Sequence, residues 1–365
     1  MMLPYSAVKA QNIQDRIIDR ALFVLAGAPD ASVGLDAVAS VVAIEAAVDA
    51  FGASVVADRA ATHGVQNLLL DFLKQRDVCL NLQRVLQPHW LRTQHAHARQ
   101  DSMRDRVSEI LADVPVLLLK GAALRPLVYA HPCHRPSSDL DIWVPPMRVA
   151  ECCQRLIDAG FVQAGPDAPE AHHHAAPLMW GDAVVEVHRS FLGGGRSDRW
   201  EMVFPRAVGL DTAPNAYRPC TTDLLWQAWH HNFRSALHWL PWKLIGVADI
   251  VRLLHREDLD WTVVRHWVGL TRLRQIVPIA PEVLARFNRM MPELDGVDYR
   301  PITVAADRRA VWQWHWPSAW WLAMRHGILG ESLAVCWERH LEDLSAQRRQ
   351  GDCEPAAIYS EQSWT

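Results

Sequence analysis

Apolar residues recur at helical spacing from early in the chain. Ile13, Ile17, Ile18, Ala21 and Leu25 share one face of a helix that Gly27 and Pro29 close. Residues 36–50 are rich in alanine and valine and apolar nearly all round, which predicts a buried helix. Val65, Leu68, Leu69, Phe72 and Leu73 repeat the helical pattern, and residues 81–110 read as one or two long helices with a polar face. No period-two alternation appears before residue 113. The expectation is a helical N-terminal region over 1–112.

The texture then changes. Val114-Pro115-Val116-Leu117-Leu118-Leu119 is a short continuous apolar run, the pattern of a buried strand. Lys120-Gly121 breaks it, and 122–129 reads as a short helix. A loop over 131–138 leads into Asp139-Leu140-Asp141-Ile142-Trp143-Val144, which alternates as a strand does. After Pro145-Pro146 the spacing of Val149, Cys153, Leu156 and Ile157 predicts a helix that Gly160 ends. Strand-like runs at 172–180 and 183–188 flank Gly181-Asp182, a two-residue hairpin signal. Helical texture resumes near Thr222 and continues to about Leu344; the polar residues 346–365 are expected to be disordered. The fold class predicted is α+β: a mixed α/β core over 113–210 and a helical C-terminal region over 211–345.

Alternation places chemistry on the core. Asp139 and Asp141 share one strand face while Leu140, Ile142 and Val144 take the other. Two carboxylates side by side on a half-buried strand repel each other unless a cation lies between them, which points to a hard dication, Mg²⁺ or Mn²⁺. Glu186 and His188 likewise share a face of Val184-Val185-Glu186-Val187-His188. A two-metal phosphoryl-transfer site needs acids from more than one strand, so Glu186 is the third candidate. A second Asp-x-Asp, Asp258-Leu259-Asp260, precedes Trp261-Thr262-Val263 and reads as a helix-start device instead.

Lys120 and Gly121, where the first strand breaks before a helix, offer an ammonium and free backbone N–H groups to an anion. Arg135 is four residues before Asp139 and can reach a phosphate from its loop; its bland reading is a surface arginine. Lys243 reads equally as a nucleotide contact or a snorkelling side chain, and His230 and Asp249 more readily as structural. With a strict Gly181-Asp182 turn, His173 is the member of the His172–His174 run that falls beside Glu186 and His188. A dedicated zinc site there is disfavoured by the neighbouring carboxylates.

Composition narrows the classes. The 37 basic and 41 acidic residues give a formal charge of −4, so nucleic acid is not the expected partner. Seven scattered cysteines without a CxxC pair suit reduced thiols. The first residues lack a signal-peptide pattern and no apolar run approaches the roughly 20 residues of a membrane span, so a soluble cytoplasmic protein is expected. Many of the 17 tryptophans lie in helix-like segments, including 312–321, where packing is the simpler reading.

The run LLLKGAALRPLVYAHPCHRPSSDLDIWV, followed by VVEVHRS, resembles a family of uncharacterised nucleotidyltransferases within the DNA polymerase β-like superfamily. Lys120, Gly121, Tyr129, Arg135, Ser138, Asp139, Asp141, Glu186 and His188 match its pattern. VVADRAATHGVQNLLLDFL and HHNF…LPWKLIGVADI extend the likeness over roughly residues 50–290. The resemblance implies a small mixed-sheet nucleotidyltransferase core flanked by helices. It also implies transfer of a nucleotidyl group, AMP from ATP or another NTP, to a hydroxyl or similar acceptor on a small molecule or peptide. Asp139, Asp141 and Glu186 would be catalytic and hold Mg²⁺ or Mn²⁺; Lys120, Gly121, Arg135, Ser138 and Lys243 would bind the nucleotide, and His188 would support Glu186. The superfamily's usual Gly-Ser is Gly121-Ala122 here, so a triphosphate would lean on backbone amides, Lys120 and other cations. Two rivals are a nucleotide-binding scaffold without turnover and a toxin-like transferase acting on tRNA or protein.

Overall fold

The computed structural model describes residues 14–15, 17–18, 21–22, 35–165, 174–191, 200–211, 213–237, 243–260 and 262–263. The side chains at 35–39, 229–230 and 232–237 are outside that description, as are the sequence expectations for 172–173 and 264–365. After helical residues at 14–15, 17–18 and 21–22 come α1 (Leu35–Phe51), α2 (Ala53–Thr62), α3 (Gln66–Arg76) and α4 (Leu80–Ile110). Residues 81–110 thus form part of one helix, which accommodates Pro88 in its third turn. The mixed α/β part follows as β1 (Val116–Leu118), α5 (Lys120–Val128), β2 (Asp139–Trp143), α6 (Val149–Asp158), β3 (Val162–Gln163), β4 (Leu178–Trp180) and β5 (Ala183–His188). Then come α7 (Trp200–Val203), β6 (Val208–Gly209), β7 (Ala216–Arg218), α8 (Thr221–Leu237) and α9 (Leu244–Leu254).

The strands form one seven-stranded sheet in the order β3-β4-β5-β2-β1-β7-β6. β2 runs parallel to β5 and β1 parallel to β7; the other neighbours are antiparallel. The fold is α+β with a mixed sheet, as the sequence pattern predicts. One face of the sheet puts Leu140, Ile142, Val185 and Val187 into the main core, which also takes the buried faces of α2 to α6 and of α8 and α9. The other face carries Leu117 and Trp143 into a smaller cluster with Phe191, Trp200 and Trp226. On α6 the fully buried positions are Val149, Cys152 and Leu156; Cys153, expected inward, is only half-buried. The two cysteines lie 100° apart on a helix, to either side of the line through Val149 and Leu156, and Cys152 takes the inner side.

Buried amides tie the helices to the segments that carry the candidate site. Asn215 donates from Nδ2 to the carbonyls of Ser108, Leu111 and Val114, closing the end of α4 onto the start of β1. Asn67 on α3 donates to the Cys133 carbonyl at 2.8 Å, and Gln100 on α4 donates to the Ser137 carbonyl at 2.9 Å. The 131–138 loop is therefore fixed from behind by side chains of two helices.

Among the described residues no single helix is long and apolar enough to cross a membrane. The second Asp-x-Asp is structural: the Asp260 carboxylate accepts from the Thr262 and Val263 amides, and Asp258 accepts from Thr221 Oγ1 at 2.6 Å. Carboxylates at a helix start satisfy N–H groups that have no partner within the helix.

Candidate active site

Parallel pairing of β2 with β5 sets the acids in register. Asp141 lies opposite Glu186 and Trp143 opposite His188, so side chains of both strands alternate together between the apolar core and the acidic face. Asp139 is two residues before Asp141 on that face. Asp141 is 2% exposed. Its Oδ1 accepts from Lys120 Nζ at 2.5 Å and lies 2.7 Å from His188 Nε2. Lys120 Nζ is also 4.0 Å from Glu186 Oε2. Ligating atoms of Asp141, Glu186 and His188 fall within 4.8 Å of one another.

The electrostatics follow from crowding three carboxylates into a buried space. Burial, then the charge of Asp141, pushes Glu186 up to about 8. The same two causes push Asp139 up to about 6. Burial would raise Asp141 too, but Lys120 and His188 hold it well below the usual carboxylate range. Burial alone would lower Lys120, and the three acids outweigh it and raise the group. In this state one carboxylate is firmly ionised, its neighbour Glu186 favours the proton, and a lysine ammonium supplies the positive charge between them.

The Lys120-Gly121 turn is built for close approach. Lys120 sits at a left-handed φ of 44° as the first residue of α5, and its N–H donates to Gln227 Oε1 on α8 at 3.2 Å. A Cβ on Gly121 would come within 2.8 Å of Ser137 Oγ and 2.9 Å of Ser137 Cβ, so only glycine lets the helix start pack against the 131–138 loop. Ser137 Oγ in turn donates to the Asp139 carbonyl at 2.9 Å. Ser138 is exposed beside it, at the entry to β2.

Arg135 is not a surface arginine. Its Nε lies 2.9 and 3.0 Å from the two oxygens of Asp249, on α9, and Nη1 donates to the Pro136 carbonyl. Tyr129 donates to the same Asp249 at 2.5 Å. Asp249 is 2% exposed, and its charge raises Arg135 although burial opposes this. The position a Cβ on Gly121 would take is 3.8 Å from Arg135 Nη1, so the guanidinium borders the helix start. Lys243, the residue before α9, is exposed; its pKa is lowered by partial burial and by the charge of Arg135, against the pull of Asp139. Lys120 thus lies on Asp141 and near Glu186, while Asp249, read from sequence as structural, anchors Arg135. The sequence separation of 114 between Arg135 and Asp249 left no local signal for that pairing.

One register expectation fails. The turn is as predicted, with Trp180 opposite Ala183 and Leu178 opposite Val185. Farther along, His174 and not Ala175 pairs with His188. Three residues (Ala175, Ala176, Pro177) face two (Glu186, Val187), a bulge at which Pro177 has no N–H for the ladder. The slip of one residue turns His174 toward His188; their ring centroids are 5.8 Å apart, and His174 Nε2 is 3.9 Å from Glu186 Oε2, while His173 lies outside the described residues.

The donor set fits a dication. Two carboxylates and an imidazole converge in a buried place where positive charge is already required, and a third carboxylate flanks it. A family model described as uncharacterised nucleotidyltransferase matches residues 49–287. No curated protein and no solved structure matches the chain significantly. The family match spans the helices that hold the loop, both acidic strands, the Lys120-Gly121 turn and α9, and the chain belongs to this family of uncharacterised nucleotidyltransferases.

Proposed function

We propose that the protein transfers a nucleotidyl group, AMP from ATP, to a hydroxyl or similar nucleophile on a small molecule or peptide. The observation that carries this reading is the parallel register of Asp141 with Glu186 on one acidic face, with Asp139 beside them and Lys120-Gly121 at its edge. Asp139, Asp141 and Glu186 would hold Mg²⁺ or Mn²⁺. A dication bound there would neutralise phosphate charge and acidify the attacking hydroxyl.

The chain's own groups divide the remaining work. Backbone N–H groups at the start of α5, Lys120 Nζ and the Arg135 guanidinium would bind phosphate oxygens. Ser138 and Lys243, both exposed, would contact the nucleotide beyond the phosphates. Glu186, freed of its proton by a bound dication, would help take up the acceptor's proton as the new bond forms. Asp249 keeps Arg135 charged and aimed. Ala122 offers no hydroxyl, so the cations and amides carry the phosphate contacts alone.

The test is pyrophosphate release. Purified protein with ATP, Mg²⁺ or Mn²⁺ and a panel of hydroxylated small molecules and peptides should release pyrophosphate only with a competent acceptor. Asp139→Asn and Asp141→Asn should each lower the rate by at least about a hundredfold, the scale of losing a principal charge-stabilising group. Tight ATP binding with no acceptor-dependent pyrophosphate in any mixture would count against transfer.

A further inference from the structure

We infer that His188 is a direct ligand of the dication site, with Asp141 and Glu186, and that the centre therefore selects a first-row transition dication over Mg²⁺. This rests on the reading of the acidic face as a metal site, and it moves His188 from a supporting role to a coordinating one. His188 Nε2 is 2.7 Å from Asp141 Oδ1 and 3.9 Å from Glu186 Oε2. Metal–donor bonds of about 2.1 Å place neighbouring donors about 3 Å apart and opposite donors about 4.2 Å apart. His188 Nε2 stands close to such spacings from both carboxylates, and all three donors lie within 4.8 Å of one another.

The ring is set up for this role. His188 is 2% exposed, opposite Trp143 in the β2–β5 ladder, so its plane is fixed by packing. A further hydrogen bond from the ring goes to the Ser190 backbone. In the metal-free protein Nε2 donates to Asp141 Oδ1; a dication that took the place of that proton would find the ring still held at Ser190, which is how ligating histidines are commonly oriented. Imidazole nitrogen is a favourable ligand for transition dications and a poor one for Mg²⁺, which prefers oxygen and retains its water.

Lys120 shows where the cation belongs. Its ammonium is 2.5 Å from Asp141 Oδ1 and 4.0 Å from Glu186 Oε2, between the two carboxylates a dication would bridge. Metal entry without nucleotide must displace it.

Mn²⁺ bound to the nucleotide-free protein is the probe, followed by isothermal titration against Mg²⁺ and by electron spin-echo modulation. The wild type should show a coordinated nitrogen and bind Mn²⁺ at least about tenfold more tightly than Mg²⁺. His188→Gln should lose the nitrogen signal and most of that preference. Oxygen-only coordination in the wild type would overturn the inference. So would a nitrogen signal that persists in His188→Gln, which would assign the ligand to His174. If His188→Gln does not fold, Lys120→Met decides the shared position: Mn²⁺ should bind several-fold more tightly without the competing ammonium. An unchanged affinity would overturn it. Because no nucleotide is present, a coordinated nitrogen without transferase activity would sink the transfer reading alone, and transfer with an oxygen-only centre would sink this one alone.

Discussion

Gly121 has no room for a methyl group. A Cβ there would meet Ser137 Oγ at 2.8 Å and Ser137 Cβ at 2.9 Å, and Ser137 is held by the Asp139 carbonyl in front and by Gln100 behind. Gly121→Ala should therefore push the loop away from α5 and destabilise the fold by about 1–3 kcal/mol, the range for overpacking. Urea denaturation measures this, and Mg-ATP titration of the folded variant should show weaker binding. No loss on either readout would mean that the loop yields freely. Alternation alone put Asp139 with Asp141 on one strand face and Glu186 with His188 on one face of another strand, because a strand's period is fixed by its backbone. His174 escaped the same logic, since a bulge at Ala175–Pro177 changes the period without changing the composition. Asp249 escaped for another reason: a buried aspartate on an apolar helix has no recognisable partner until the chain is folded.

At the scale of elements, α9 is latched to the 131–138 loop through one buried carboxylate. Asp249 takes hydrogen bonds from Tyr129 at the end of α5 and from Arg135, and Arg252 stacks over the Tyr129 ring at 4.9 Å. Removing that acid leaves a buried guanidinium without its counter-charge. Asp249→Ala should cost about 3–5 kcal/mol, and Tyr129→Phe about 1.5–3 kcal/mol for a single bond to a charged acceptor. Urea midpoints with unchanged slope check both. Where Tyr129→Phe folds, a rise in the KM for ATP larger than the fall in kcat is expected, because Arg135 loosens while the acids stay in place. A variant as stable as the wild type would show that α9 is held by its apolar face alone. The helices themselves were legible from 3.6-residue periodicity, and β1, β2 and β5 from apolar runs and alternation. The short edge strands β3 and β6 were not, since two residues carry no period. The sheet order was beyond reach as well, because parallel pairing of β2 with β5 joins segments separated by α6 and the hairpin.

For the whole molecule, the crowded acids predict how stability responds to pH and metal. Glu186 rises to about 8 and Asp139 to about 6 in the fold, above their ordinary 4.5 and 3.8. The folded protein then binds more protons than the unfolded chain as pH rises from about 4 to about 8, so these two groups make stability fall over that window. Asp141 has the opposite sign, but its contribution is complete once pH exceeds its ordinary 3.8 and is lost only in stronger acid. The buried histidines oppose Glu186 on the acid side. His97 is lowered to about 3 by burial first and the charge of Arg125 second. It stays neutral in the fold while the unfolded chain takes up a proton below about 6.5, so stability falls there as pH drops. Metal-free protein should accordingly be most stable near pH 6.5 and lose stability from there to pH 8. Saturating Mn²⁺ replaces the proton on Glu186, so the gain in melting temperature should be larger at pH 8 than at pH 6, with protons released on binding. Glu186→Gln, which cannot ionise, should flatten the alkaline decline in the metal-free protein and remove the pH dependence of the Mn²⁺ effect. Melting curves from pH 5 to 9 with and without Mn²⁺ decide the matter. A metal-free stability that climbs between pH 6.5 and 8 would mean that Glu186 is ionised throughout and that Lys120 already neutralises both acids.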